Sequence, residues 1–193
     1  MKFWPVPESY SRIVPRRGAG SFWRSRGDRR HVGVDLYAPA GSPVVAVEDG
    51  LVLECGVFTT SDENPYWNTT HYVLVKHRSG PVAKYAELGE VRVRKGQRVA
   101  AGRALGRVGR VLNPKRIDES TPPYIRQLAR SGRVSMLHFE LYEKVTAARG
   151  KYSGGNWFSD RKPPKLLDPT PYLRAIPPKK ARPSNRKNLW NRN

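Results

Sequence analysis

Four histidines, at positions 31, 71, 77 and 138, are the only imidazoles in this chain of 193 residues. The first stands four residues ahead of an acid, in His31-Val32-Gly33-Val34-Asp35-Leu36-Tyr37-Ala38-Pro39. Imidazole nitrogen and carboxylate oxygen are donors from which catalytic metal sites are built, three from the protein with a fourth position left for water. If this stretch is a loop entering a strand, both side chains can turn toward one ion. Alone, the spacing is a weak signal. A structural zinc is usually closed by four ligands, often thiolates, and the single cysteine, Cys55, cannot supply them.

The segments that must position such donors read as short strands. Val44-Val45-Ala46-Val47 runs through the turn Glu48-Asp49-Gly50 into Leu51-Val52-Leu53-Glu54-Cys55, an apolar run that makes Cys55 a buried structural thiol. After a polar loop come His71-Tyr72-Val73-Leu74-Val75-Lys76-His77, the turn Arg78-Ser79-Gly80 and a return strand from Val82 to Ala86. Glycines at 96, 102, 106 and 109 then punctuate Val99, Leu105 and Val108, and a last strand spans Val134 to Tyr142. The one helix signalled has Thr121 as N-cap, Pro122 at its first position, Tyr124, Ile125 and Leu128 on one face, and Ser131-Gly132 at its end. These patterns, with 17 Gly and 17 Pro, predict an all-β fold: a compact antiparallel sandwich or open barrel with one short inserted helix.

Charge is the dominant bulk property. Thirty-six Lys and Arg against 16 Asp and Glu give +20, a field that attracts polyanions without choosing among them. The basic residues are spread along the chain, so nothing but charge points to nucleic acid. No stretch approaches the roughly 20 apolar residues of a membrane span. The opening Met1-Lys2-Phe3-Trp4-Pro5-Val6-Pro7 has no apolar continuation of the kind a secretory signal carries.

The stretch from His31 through Ala38-Pro39, Gly41-Ser42-Pro43-Val44 and Asp49-Gly50 closely resembles the opening motif of the lysostaphin-type, or LytM-like, zinc endopeptidases of bacterial cell wall. The likeness continues through Val73 to Gly80, Lys84-Tyr85-Ala86-Glu87-Leu88, Val93 to Gly102, and Leu137-His138-Phe139-Glu140-Leu141, covering roughly residues 22–145. It implies a duplicated hybrid motif, a groove above the central sheet, and zinc held by His31, Asp35 and His138. The implied activity is hydrolysis of amide bonds in peptidoglycan stem peptides or cross-bridges.

Two positions depart from the family's pattern. The first histidine of its H-x-H strand is Met136 here, and the histidine of its Tyr-x-His-Leu motif is Glu87. Those histidines do not hold the metal but activate water and stabilise the oxyanion. Glu87 can take over as general base, as a carboxylate does in H-E-x-x-H peptidases; oxyanion stabilisation would fall to the metal or a nearby Arg. The alternatives are a metal-binding but inactive module for wall binding or regulation, with Glu87 an exposed acid and Met136 a core filler, and a site closed by Glu87 as fourth ligand.

Other candidates are more peripheral. Glu140 lies two residues past His138, on the same strand face, where it can orient the imidazole or form a surface ion pair. His77, before a turn, reads as structural. His71 reads as an exposed edge residue or a substitute donor in the groove, and Tyr85 as a residue beside the site. Trp67, in Asn64-Pro65-Tyr66-Trp67-Asn68, either lines a substrate cleft or packs under its own loop. A biotinyl- or lipoyl-type carrier, suggested by the glycine rhythm of 96–109, is excluded because the Lys lacks the flanking Met.

The expected organisation is an irregular lead-in over 1–21, the metallopeptidase domain over 22–150, a Pro-rich segment packing on it over 151–176, and a disordered basic tail over 177–193. The expected partner is anionic cell wall, approached as a monomer. Delivery to wall or periplasm would be by lysis, phage or a secretion machine.

Overall fold

The computed structural model describes residues 1–144 and 151–177. Within them the strands run β1 (Arg30–His31), β2 (Val34–Tyr37), β3 (Pro43–Val45), β4 (Gly50–Thr59), β5 (Thr70–His77), β6 (Val82–Val91), β7 (Arg98–Val99) and β8 (Ala104–Val108). Helix α1 (Pro123–Arg130) leads to β9 (Met136–Tyr142), then β10 (Tyr152–Ser153), β11 (Asn156–Trp157), β12 (Leu166–Leu167) and α2 (Pro169–Arg174). The larger sheet has the order β12-β9-β6-β5-β4-β7, with β2 also on β9, β8 on β6 and β3 on β8. β1, β11 and β10 form a small second sheet, and the pairs are antiparallel throughout.

Alternation explains the main core. Val73 and Val75 of β5, Ala83 and Tyr85 of β6, and Leu137, Phe139 and Leu141 of β9 turn to one side and are buried there with Val44, Ala46 and Leu105. The opposite face of β9, with Met136, His138 and Glu140, is buried as well. A second cluster, Tyr66, Trp67, Val111, Leu112, Ile125 and Leu128, seats the loop after β4 and the helix α1 beside that face.

Several expectations need correction. Helix α1 starts at Pro123, with Pro122 extended (φ −50°, ψ 137°) as its N-cap. A residue before proline is driven out of the helical region, and Pro122 precedes Pro123. Thr121 instead ties its hydroxyl to Asp118. A second helix, α2, begins at Asp168, whose carboxylate accepts from Thr170 N. The first residues are irregular in backbone but not loosely attached: Trp4, Val6 and Val14 are buried in the core, and Val45 N donates to Pro5 O (2.9 Å). Cys55 is only half-buried, 3.7 Å from Val93 O. His71 lies on β5, which is flanked by β4 and β6, so it is not an edge residue. The basic tail falls outside the described residues from 178 on. Among those described, no helix is long and apolar enough to cross a membrane.

His77 shows how the core is pinned. Tyr85 OH accepts from Val47 N (2.9 Å) and donates to His77 Nε2 (2.9 Å). His77 Nδ1–H donates to Tyr172 OH (2.7 Å), which donates to Glu48 (2.5 Å). The chain of bonds requires a neutral ring, and burial lowers His77 to about 4. The unfolded chain therefore binds more protons than the folded one below the ordinary value of about 6.5. Stability present above that value is lost as pH falls toward 4, by at most roughly 3 kcal/mol. Urea denaturation from pH 7 to 4.5 should show this slope, and His77→Gln should be weaker at pH 7 but flatter with pH.

Candidate metal centre

The three donors converge. Asp35 stands opposite His138 across the β2–β9 pair, and β1 brings His31 to the same end. Asp35 Oδ1 lies 3.0 Å from His31 Nε2 and 2.9 Å from His138 Nδ1, and the two nitrogens are 3.0 Å apart. All three side chains are buried. The glycine between His31 and Asp35 is a steric requirement: a Cβ on Gly33 would lie 2.6 Å from Phe139 O and 2.8 Å from His138 Cε1. Gly155 approaches the same ring, where a Cβ would lie 2.7 Å from Nε2, and Phe58 stacks on it at 5.5 Å.

The outer nitrogens settle which lone pairs face inward. His31 Nδ1–H donates to Ser21 O (2.9 Å), leaving Nε2 as an acceptor. His138 Nε2–H donates to Glu140 (2.9 Å), leaving Nδ1 as an acceptor. Two lone pairs and a carboxylate oxygen thus meet at about 3 Å, an arrangement that requires a shared proton or a cation. The metal-free site resolves it with protons. Burial works against a charged His138, but its bonds to Asp35 and Glu140 outweigh that and raise it to about 9. Burial, aided by Arg26, lowers His31 to about 4. A divalent ion would displace that proton. Two nitrogens and one carboxylate oxygen, with both outer nitrogens already held, fit a transition ion such as zinc.

The surroundings are specific. Glu140 is fully buried and also accepts from Tyr142 and Tyr152 (2.5 Å) and pairs with Lys84 (3.3 Å). Burial opposes its charge, but Lys84 and His138 hold it at about 2. Arg26 binds the outer oxygen of Asp35 (3.0 Å), Ala19 O (2.8 Å) and Asn156 Oδ1 (3.0 Å).

Glu87 sits where β6 changes partner. Residues Val82 to Ala86 pair with β9, and Leu88 to Val91 with β8. An extra residue at this junction opposes β5, and Glu87 takes φ +64°, a conformation uncommon outside glycine. The bulge buries its side chain, contrary to an exposed strand-end acid. Glu87 lines a cavity of about 30 Å³ with Arg26, Asp35, Trp67 and Met136, room for one or two waters. Glu87 Oε2 and Arg26 Nε, both facing confined surroundings, have no hydrogen-bond partner among the described residues. Burial first, then the Asp35 charge, raises Glu87 to about 8.

A profile of peptidase family M23 matches residues 29–149. The chain belongs to peptidase family M23. It is 35% identical over 104 residues to the cell division protein DipM of Caulobacter vibrioides, covering 48% of this chain and 16% of DipM. It is 32% identical over 87 residues to the peptidoglycan DD-endopeptidase ShyA of Vibrio cholerae, covering 44% of this chain and 18% of ShyA. The chain thus spans less than a fifth of the length of either curated relative. The fold matches that of the antimicrobial peptidase lysostaphin from Staphylococcus simulans with a TM-score of 0.54 at 20% identity, over 94% of this chain and 58% of that one.

Not every expected residue of this M23 chain reaches the centre. Tyr85 points to the opposite side of β6, its ring edge-on to Phe139 at 5.1 Å, because regular alternation holds until the bulge. His71 is half-buried, its Nδ1 3.4 Å from Leu88 O, and lines neither the triad nor the Glu87 cavity. Trp67 both packs under its loop and walls the cavity. Arg26, Tyr152 and Asn156 carry no motif that singles them out in the sequence, and Lys84 opens the motif Lys84-Tyr85-Ala86-Glu87-Leu88 without being marked as a site residue. Lys84 was findable from register, since it opposes Glu140; Arg26 is hidden in a basic run.

Gly155→Ala should force His138 or the β10–β11 hairpin to move. Gly27 has a similar φ, but a Cβ added there would meet nothing within 4 Å, so Gly27→Ala isolates backbone strain. Urea unfolding of the metal-free chain should find Gly155→Ala worse by about 1–3 kcal/mol; equal costs would contradict this packing.

Proposed function

We propose that the chain is a zinc-dependent peptidase that hydrolyses amide bonds in the peptide part of peptidoglycan, with His31, Asp35 and His138 as metal ligands and Glu87 as general base. The observation that supports this reading most is the convergence of three inward-facing acceptors beside a buried carboxylate with a raised pKa. The family and the named activity of ShyA supply the substrate class.

Zinc at the three donors would supply Lewis acidity, acidifying a coordinated water toward a pKa of about 7 and polarising a carbonyl. Glu87 then removes a proton from the attacking water, a task suited to a carboxylate titrating near neutrality. As the new C–O bond forms and the C–N bond breaks, Glu87 returns that proton to the leaving amine. The products are a carboxylic acid and an amine, and the second proton of the water passes from the acid to the amine to leave a carboxylate and an ammonium. Arg26, fixed by Asp35, Ala19 O and Asn156, is placed to offset charge developing on the carbonyl oxygen. Met136 contributes an apolar wall and no hydrogen bond. Glu140 holds the His138 tautomer. The basic surface would attach the enzyme to anionic wall, an attachment weakened by salt.

One observation favours a second reading, a non-catalytic metal-binding wall module. The ligands are 0–3% exposed and the Glu87 cavity admits water rather than peptide. Catalysis therefore requires the loop at Trp67 or the hairpin at Gly154 to yield.

Metal analysis should find one zinc per chain, lost in His31→Ala. Glu140→Ala should weaken zinc binding 10- to 100-fold. Glu87→Gln should keep its zinc yet release fragments from purified peptidoglycan about 10²- to 10⁴-fold more slowly. Zinc-loaded protein that releases no fragments, with Glu87→Gln indistinguishable from wild type, would establish the non-catalytic module.

A further inference from the structure

Asp35, Tyr124 and Leu128 line two cavities at once: the small Glu87 chamber and an open groove of about 630 Å³. The groove lies between the lead-in at residues 10–20, the strand end at Leu36 and Tyr37, and helix α1. Its size falls within the roughly 300–1,000 Å³ of small-ligand sites. Three tyrosines, Tyr10, Tyr37 and Tyr124, face it from different elements, and its other walls are mainly apolar. Tyr10 (68%) and Ile13 (73%) are exposed at its side, large apolar groups that an occupant would cover.

The groove's charge has one sign. Among the described residues its cations are Arg17 and Arg133, and its only acid is Asp35. Asp35 is 3% exposed and both its oxygens are engaged, one by the imidazoles and one by Arg26. Arg133 is held 5.2 Å over the Tyr37 ring, while its backbone N–H donates to Leu128 O (2.9 Å) at the end of α1. Neither Arg17 nor Arg133 forms an ion pair among the described residues. A guanidinium stacked on an aromatic face leaves its N–H edge for a planar anion, and carboxylate matches that fork.

We infer that this groove is a substrate subsite that takes a peptide segment bearing a free carboxylate, the carboxylate on Arg133 and Arg17 and the apolar parts against the tyrosines. The inference rests on the peptidase reading and adds a specificity to it. The groove shares a wall with the Glu87 chamber at Tyr124, Leu128 and Asp35, so a peptide seated in it lies beside the metal ligands and reaches them when the loop at Trp67 or the hairpin at Gly154 yields. Carboxylate recognition then decides which peptides are presented to the site.

The test uses the zinc-loaded full chain and two short peptides identical except for a free carboxylate in one and a carboxamide in the other. Calorimetric titration should give about tenfold tighter binding of the acid, the gain of one charge-assisted contact, and added salt should narrow the gap. Arg17→Gln/Arg133→Gln should close it, Arg133→Lys should leave part of it, and Arg94→Gln/Arg98→Gln, which removes equal charge outside the groove, should leave it intact. Circular dichroism melting verifies that each variant is folded. Equal binding of acid and amide by wild type, or a gap that survives loss of both groove arginines, overturns the subsite. An arginine-dependent gap without hydrolysis upholds the subsite and fails the peptidase reading. Hydrolysis indifferent to the carboxylate fails the subsite alone.

Discussion

Three electron-pair donors held about 3 Å apart repel one another unless a proton or a cation lies among them, and much of this structure serves to keep them there. Each outer partner enforces an inner lone pair: Ser21 O on His31, Glu140 on His138 and Arg26 on Asp35. Those partners come from the end of the lead-in, from the segment ahead of β1 and from β9 itself, two residues past His138. The two glycines against His138 leave its ring one position. A buried cluster of this kind contributes little to stability on its own, since desolvation offsets the pairing; a cation supplies what the acceptors lack.

The same economy accounts for Glu87. A regular strand would send residue 87 to the core side with Tyr85. One extra residue at the change of partner from β9 to β8 turns it instead toward the chamber that Arg26 and Asp35 line. Backbone strain at φ +64° thereby fixes the position of this carboxylate, and strain of that kind clusters at functional sites. The raised pKa follows from that placement, because burial and the Asp35 charge both disfavour the ionised form.

The all-β architecture was readable from alternating runs and glycine turns, and the family from motif spacing. The grouping of His31, Asp35 and His138, which the structure brings together, was suggested only by the motifs of the resemblance, because the four-residue spacing of His31 and Asp35 says nothing of a third residue on a distant strand. Less was legible wherever one residue of register mattered. Alternation cannot reveal a bulge, so the reading of Glu87 as base stood beside the alternatives of exposed acid and fourth ligand, and Tyr85 was expected at a site from which it is excluded. Arg26 looked like one more surface charge, because composition does not distinguish a buried guanidinium from its neighbours. The burial of Trp4 and Val6 was missed because irregular backbone hides packing that lacks a period.

The central claim is that two imidazoles and a carboxylate, and nothing softer, hold one zinc in this chain. Zinc K-edge absorption spectroscopy of the stoichiometrically loaded protein tests it directly. The expected result is a shell of nitrogen and oxygen only, with the outer-shell scattering of two imidazoles, unchanged in Glu87→Gln. A sulfur scatterer from Cys55, an all-oxygen shell, or a shell that alters when Glu87 is replaced would contradict it.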